Sequence, residues 1–124
     1  DPDNSYLKLK AKLFGTTSKG MIIDTKTIQT TTLFSILEKE NMESIDFLKI
    51  DTEGHELEVL QGMREKINKV RRILVEFHID EIYISYNPEF LHQFLISNNF
   101  ELVKKFKFPF TTWEDRLYVN KSIN

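Results

Sequence analysis

The chain has 124 residues, 40% hydrophobic and 12% aromatic, which suits a single domain with a buried core and excludes disorder throughout. A formal charge of −2, with acids and bases mixed along the chain, gives no basis for electrostatic capture of nucleic acid or an anionic membrane, so neither partner is expected. With no cysteine there can be no disulfide, thiolate metal site or cysteine nucleophile, and with no transmembrane span or signal peptide in the 124 residues the expected location is cytoplasmic.

In chain order, the first 26 residues are the least assignable. Lys8, Lys10 and Lys12 alternate with Leu7, Leu9, Ala11 and Leu13, the pattern of a half-buried strand over Tyr6 to Phe14 with a solvated basic face; a phosphate-binding face is the alternative. Gly15 to Gly20 is a turn-rich break before Met21-Ile22-Ile23. Thr25 to Thr31 suits another strand or an extended lead-in to a helix. Leu33, Ile36 and Leu37 share one face of that helix, which Thr31 or Thr32 can cap and which ends near Asn41.

Ile45 to Ile50 is an apolar strand that stops on Asp51 and turns at once into a helix expected from about His55 to Asn68. Arg71 to His78 has the near-continuous apolar centre of a strand covered on both faces, so the three elements form a β-α-β unit with a right-handed crossover. Asn87-Pro88-Glu89 is a helix start, with a capping amide, proline at the first helical position and an acid in the first turn. Phe90, Leu91, Phe94 and Leu95 supply its apolar face, and Asn98-Asn99 can end it in a left-handed turn. Glu101 to Phe108 and Arg116 to Asn120 then form an antiparallel hairpin around Pro109. The expectation is one compact α/β unit.

Ligands of parallel sheets bind beyond the carboxyl ends of the strands, which is where Asp51, Thr52 and Glu53 fall. Glu76 and His78 end the next strand with the same parity, so they point to one side and can converge with Asp51 or Glu53. Acids there can accept hydrogen bonds from ligand hydroxyls, hold a hard cation or take a proton from a substrate; the bland alternative is that Asp51 and Glu53 favour the positive end of the following helix and Glu76 pairs with a lysine or arginine. His55-Glu56 is not a zinc-protease pair, because Val59 stands where the second histidine belongs, and an EF-hand loop started at Asp51 puts Glu56 at the glycine position. No metal site is expected. The glycines, at 15, 20, 54 and 62, build neither a G-x-G-x-x-G turn nor a P-loop.

The run from Ile45 to Gly62 resembles the central signature of the FkbM family of S-adenosylmethionine-dependent methyltransferases. In that signature a lysine-isoleucine-aspartate strand end precedes an acid-glycine turn and a helix ending in glycine. Ile73 to His78 resembles the family's following strand with its acid and histidine, and Thr31-Thr32-Leu33 the opening of the preceding helix, although Phe34 stands where aspartate is usual. The resemblance covers roughly residues 27 to 120 and implies a Rossmann-like class I methyltransferase fold, present as a partial sheet with a C-terminal antiparallel hairpin. It implies S-adenosylmethionine as cofactor and O-methylation of a small-molecule or sugar hydroxyl, with Asp51, Glu76 and His78 catalytic and Glu53, His55 and Glu56 at substrate or turn contacts. The family's acid-x-glycine-x-x-glycine cofactor turn is not found in the chain, so residues 1–124 are expected to be the carboxyl part of a methyltransferase domain that alone binds cofactor poorly. The competing reading is a non-catalytic α/β remnant whose exposed sheet edge favours pairing with a second copy as a homodimer.

Overall fold

The computed structural model describes residues 26–79 and 86–123; the strand expected over Tyr6 to Phe14, the Gly15 to Gly20 break and Met21-Ile22-Ile23 lie outside them. Residues 26–32 are an exposed lead-in rather than a strand. The first helix, α1 (Leu33–Lys39), starts where Thr32 accepts the Ser35 N–H at 3.2 Å and ends before Asn41, whose φ of 52° breaks the helical path. It buries Leu37.

Strand β1 (Leu48–Ile50) is shorter than expected, although Ile45 still bridges to Val70 ahead of it. Helix α2 (Glu56–Gln61) corrects the expected run to Asn68, because it stops at Gly62 and a 3-10 helix (Arg64–Lys69) follows. The chain leaves the α-helical path at Arg64, whose φ is 52°. The Gly62 carbonyl accepts the Phe34 N–H from α1 at 3.1 Å, and the Lys66 N–H turns to Met63 O instead. A Cβ at Gly62 would meet the Glu58 and Val59 carbonyl oxygens of its own helix at 3.3 Å and Thr32 Cβ, just ahead of α1, at an ordinary 3.7 Å.

Strand β2 (Arg72–His78) pairs parallel with β1, in register Ile50 to Val75. Helix α3 (Pro88–Ser97) starts as the sequence predicts, with the Asn87 side chain accepting from both Glu89 N and Phe90 N, and Asn99 (φ 67°) turns the chain into β3 (Phe100–Lys107). Phe90 departs from expectation: Leu91 and Leu95 are fully buried, whereas Phe90 is exposed. β4 (Trp113–Asn120) begins three residues earlier than expected and inserts between β2 and β3, antiparallel to both. The result is a four-stranded mixed sheet in the order β1-β2-β4-β3.

Ile50, Ile73, Val75, Phe77 and Tyr118 share one sheet face and join Leu37, Leu60, Met63, Ile67, Leu91 and Leu95 in one core. All the described helices therefore bury their apolar residues on that face. Lys49, Glu76 and His78 project from the other, and Asp51 continues the β1 alternation beyond Ile50. Among the described residues no helix is long and apolar enough to cross a membrane.

Candidate active site

Three acids and a histidine meet at the carboxyl ends of β1 and β2. The parallel register sets Asp51 beside Glu76, and strand parity carries His78 to the same side. Asp115 of β4 is the cross-strand partner of Glu76. His78 Nε2 lies 3.2 Å from Glu76 Oε2, and both side chains are largely withdrawn from solvent, at 8% and 13% exposure. The backbone N–H of His78 donates to the Tyr86 hydroxyl at 3.1 Å, and the two rings meet edge to face at 5.4 Å. Burial raises the Tyr86 phenol well above its usual range, so it stays protonated.

Asp51 is the more open acid, held by an ion pair with Lys49 at 3.0 Å. The hydrogen bond from Lys49 keeps its carboxyl below the ordinary range. Glu76 goes the other way. Burial, reinforced by the charge of Asp51 and by a hydrogen bond shared with it, pushes Glu76 up to about 7. The two carboxyls thus form a pair that holds a proton to higher pH than an isolated acid would, with the raised value on Glu76. The bland alternative for Glu76, pairing with lysine or arginine, is replaced by contact with another acid and a histidine.

The turn after β1 is built around Glu56. Its side chain is fully buried, and Oε1 accepts from Thr52 N at 2.9 Å, Thr52 Oγ1 at 3.2 Å and Gly54 N at 3.2 Å, while Oε2 has no hydrogen-bond partner. Two successive residues in the left-handed region, Glu53 (φ 55°) and Gly54 (φ 98°), make the reversal. Glu56 therefore braces the turn, and Glu53 sits at its apex close enough for its charge to raise Glu76. His55 stands apart from the Asp51–Glu76–His78 group. It is exposed just ahead of α2 and helps line a cleft of about 510 Å³ with Thr30, Thr31, Leu33, Ile36 and Glu58.

Residues of the group that the sequence analysis did not name are Asp115, Tyr86 and Lys49. Asp115 reaches the site only through β2–β4 pairing, which no local pattern announces; Lys49 was legible, since residues two apart on a strand face the same way. Among the described residues no three histidines or acids form a group that could hold a metal ion.

An α/β sheet with ionisable groups gathered beyond its parallel strand ends is the setting of many small-molecule enzymes. Residues 3–102 match the Methyltransferase FkbM domain, and the chain belongs to that family. It is similar to the hexuronic acid methyltransferase AglP of Haloferax volcanii, 38% identical over 52 residues, a match spanning 42% of this chain and 22% of that relative. No solved structure matches the chain.

Proposed function

We propose that Asp51, Glu76 and His78 form the acceptor side of an S-adenosylmethionine-dependent O-methyltransferase site on a Rossmann-like fold, acting on a hydroxyl of a small molecule or sugar. The observation that carries this reading is the convergence of Asp51, Glu76 and His78 at the parallel strand ends, with His78 Nε2 3.2 Å from Glu76 Oε2 and the Glu76 carboxyl raised by burial and by Asp51. Family membership supports methyl transfer, and the name of the archaeal relative points to a sugar acid as one acceptor class worth assaying first.

When bound, the cofactor supplies an electrophilic methyl group on a sulfonium. Asp51 and Glu53 are negative charges suited to the cationic end of such a ligand, but the four glycines of the chain provide no turn for its nucleoside end. On this reading that end is held by residues outside the 124, and the chain by itself binds the cofactor weakly. The ionised form of Glu76 accepts the proton of the acceptor hydroxyl as oxygen becomes nucleophilic. His78, 3.2 Å away, holds the Glu76 carboxyl in position beside Asp51. Asp51, kept ionised by Lys49, accepts a hydrogen bond that orients the acceptor, and orientation supplies much of the rate in a displacement of this kind.

Methyl transfer from labelled S-adenosylmethionine is to be measured on the protein that carries this chain together with cofactor-binding residues. Asp51→Ala is expected to abolish turnover and leave the circular dichroism spectrum intact, because the side chain is exposed and its only described ion pair is with Lys49. Unchanged turnover in that variant would remove Asp51 from the site.

A further inference from the structure

We propose that the tip of the β3–β4 hairpin docks on an anionic lipid bilayer, with Phe108 and Phe110 entering the headgroup layer and Lys104, Lys105 and Lys107 meeting the lipid phosphates. Every residue from 103 to 110 is exposed, and the stretch interleaves Val103, Phe106, Phe108 and Phe110 with the three lysines. Between Val103 and Thr112 there is no acid. Beyond it, Glu114 is held by Arg116 at 2.6 Å and lies 3.9 Å from Lys105, on the face that Lys105 and Lys107 share, while Asp115, opposite Phe106 in the β3–β4 ladder, lies on the Lys104 face with the Glu76 group.

Folding does not account for this tip. Phe110 is 107% exposed and so packs on nothing, and its φ of 63° is a conformation that aromatic residues rarely adopt. A large ring held in an unfavourable backbone state with no packing return points to use outside the fold. Phe108 is 49% exposed, with its ring 5.1 Å from that of Trp113, and Lys104 lies over the Phe106 ring at 4.8 Å. Apolar rings beside long basic stems are the side chains that settle at a membrane interface, where charge and insertion together give binding that neither gives alone.

The lysines select this occupant over a second copy of the chain. β3 is the edge strand, and self-pairing along it would bring rows of lysine against one another, whereas an anionic surface complements them. β2 and β3 both run antiparallel to β4, so their carboxyl ends lie at one edge of the sheet, and Trp113 pairs with His78 there. A docked chain therefore turns its candidate active-site edge toward the headgroups. The expectation of no membrane partner rested on charge averaged over the sequence, and the hairpin gathers what the average hides.

Trp113 is the only tryptophan, so its emission reports on the tip directly. The full chain is to be titrated with vesicles of phosphatidylglycerol and phosphatidylcholine in equal parts, with vesicles of phosphatidylcholine alone, and with a single-stranded oligothymidine. The expected result is a blue shift and cosedimentation with the anionic vesicles only, weakened as salt rises. Phe110→Asn, which suits the left-handed backbone, is expected to keep the fold and lower partitioning roughly tenfold, and each of Lys104→Gln and Lys107→Gln roughly fivefold. Failure to bind anionic vesicles, equal binding to the zwitterionic ones, or a Phe110→Asn variant that binds like the parent overturns the proposal. Tighter response to the oligonucleotide than to the vesicles overturns it in favour of a nucleic-acid surface.

Discussion

At the scale of single residues, the Glu76–Asp51 pair ties stability to pH in a definite direction. Glu76 has an ordinary value near 4.5 and is raised to about 7 in the folded chain, so folding takes up a proton between those limits. The favourable state is the protonated one; stability therefore falls as pH rises through this window, from about 4.5 to about 7. Urea denaturation at about pH 5 and about pH 8 should show that fall, and Glu76→Gln, which keeps the neutral form at every pH, should flatten it. Asp51 acts oppositely: its lowered value means that what the Lys49 pair contributes is present above the ordinary carboxylate range and lost as pH falls below it. Glu56 makes a second test possible. Removing its side chain by Glu56→Ala leaves the Thr52 and Gly54 N–H groups without their acceptor and should cost about 3 kcal/mol, whereas Glu56→Gln retains Oε1 and replaces an oxygen that accepts nothing, so thermal unfolding should place it much nearer the parent. The placement of Asp51, Glu76 and His78 together at the strand ends was legible, because strand parity and the carboxyl-end rule need only local sequence. The role of Glu56 as a buried brace was less so, since its position in the helix says nothing of which way its carboxylate folds back.

At the scale of elements, the sequence signals that held are those enforced by local chemistry. Asn87 caps α3 and Thr32 caps α1, both with side-chain oxygens on backbone N–H groups of the first turn. Asn87→Ala should lower stability by about 1 kcal/mol, read as a shift of the urea midpoint with unchanged slope, and Asn87→Asp should restore most of it. The signals that failed are those decided by tertiary competition. The apolar spacing through Leu60, Met63 and Ile67 continues past Gly62, and all three are buried as a helix would bury them. What spacing cannot show is that Arg64 takes a φ of 52° and that the Gly62 carbonyl accepts from Phe34 N–H of α1. Phe90 looked like a core position from its spacing, yet α3 needs only Leu91 and Leu95, with Phe94 partly buried, to cover its share of the sheet. β4 was recognised only from Arg116, because Glu114 and Asp115 are poor strand formers and gain strand character from pairing with Phe77 and Glu76, which also extends the strand to Trp113 opposite His78.

At the scale of the whole molecule, membership of the FkbM methyltransferase family and a mixed α/β sheet agree with what the Ile45 to Gly62 run implied. The β-α-β unit was legible from its apolar runs, and the terminal hairpin from Pro109 between two strand-like segments. The order of the sheet was not, because placing the last strand beside β2 depends on contacts across some forty residues of chain. That placement makes the hairpin more than an appendage: deletion from Trp113 onward removes the neighbour of both β2 and β3 and uncovers Phe77, which Tyr118 stacks upon at 6.2 Å and Arg116 covers at 4.0 Å. Such a truncation should lose its cooperative thermal transition, whereas deleting Lys121 to Asn124, beyond β4, should retain it.

The insertion of β4 between β2 and β3 also sets a timetable for synthesis. As the chain leaves the ribosome, the β-α-β unit and α3 emerge first, with the β2 edge that β4 will occupy still open. The sheet closes only when the last of its strands, second from the edge, has cleared the exit tunnel. Until then the β2 edge that β4 covers has no partner among the described strands and is open to pairing with another chain.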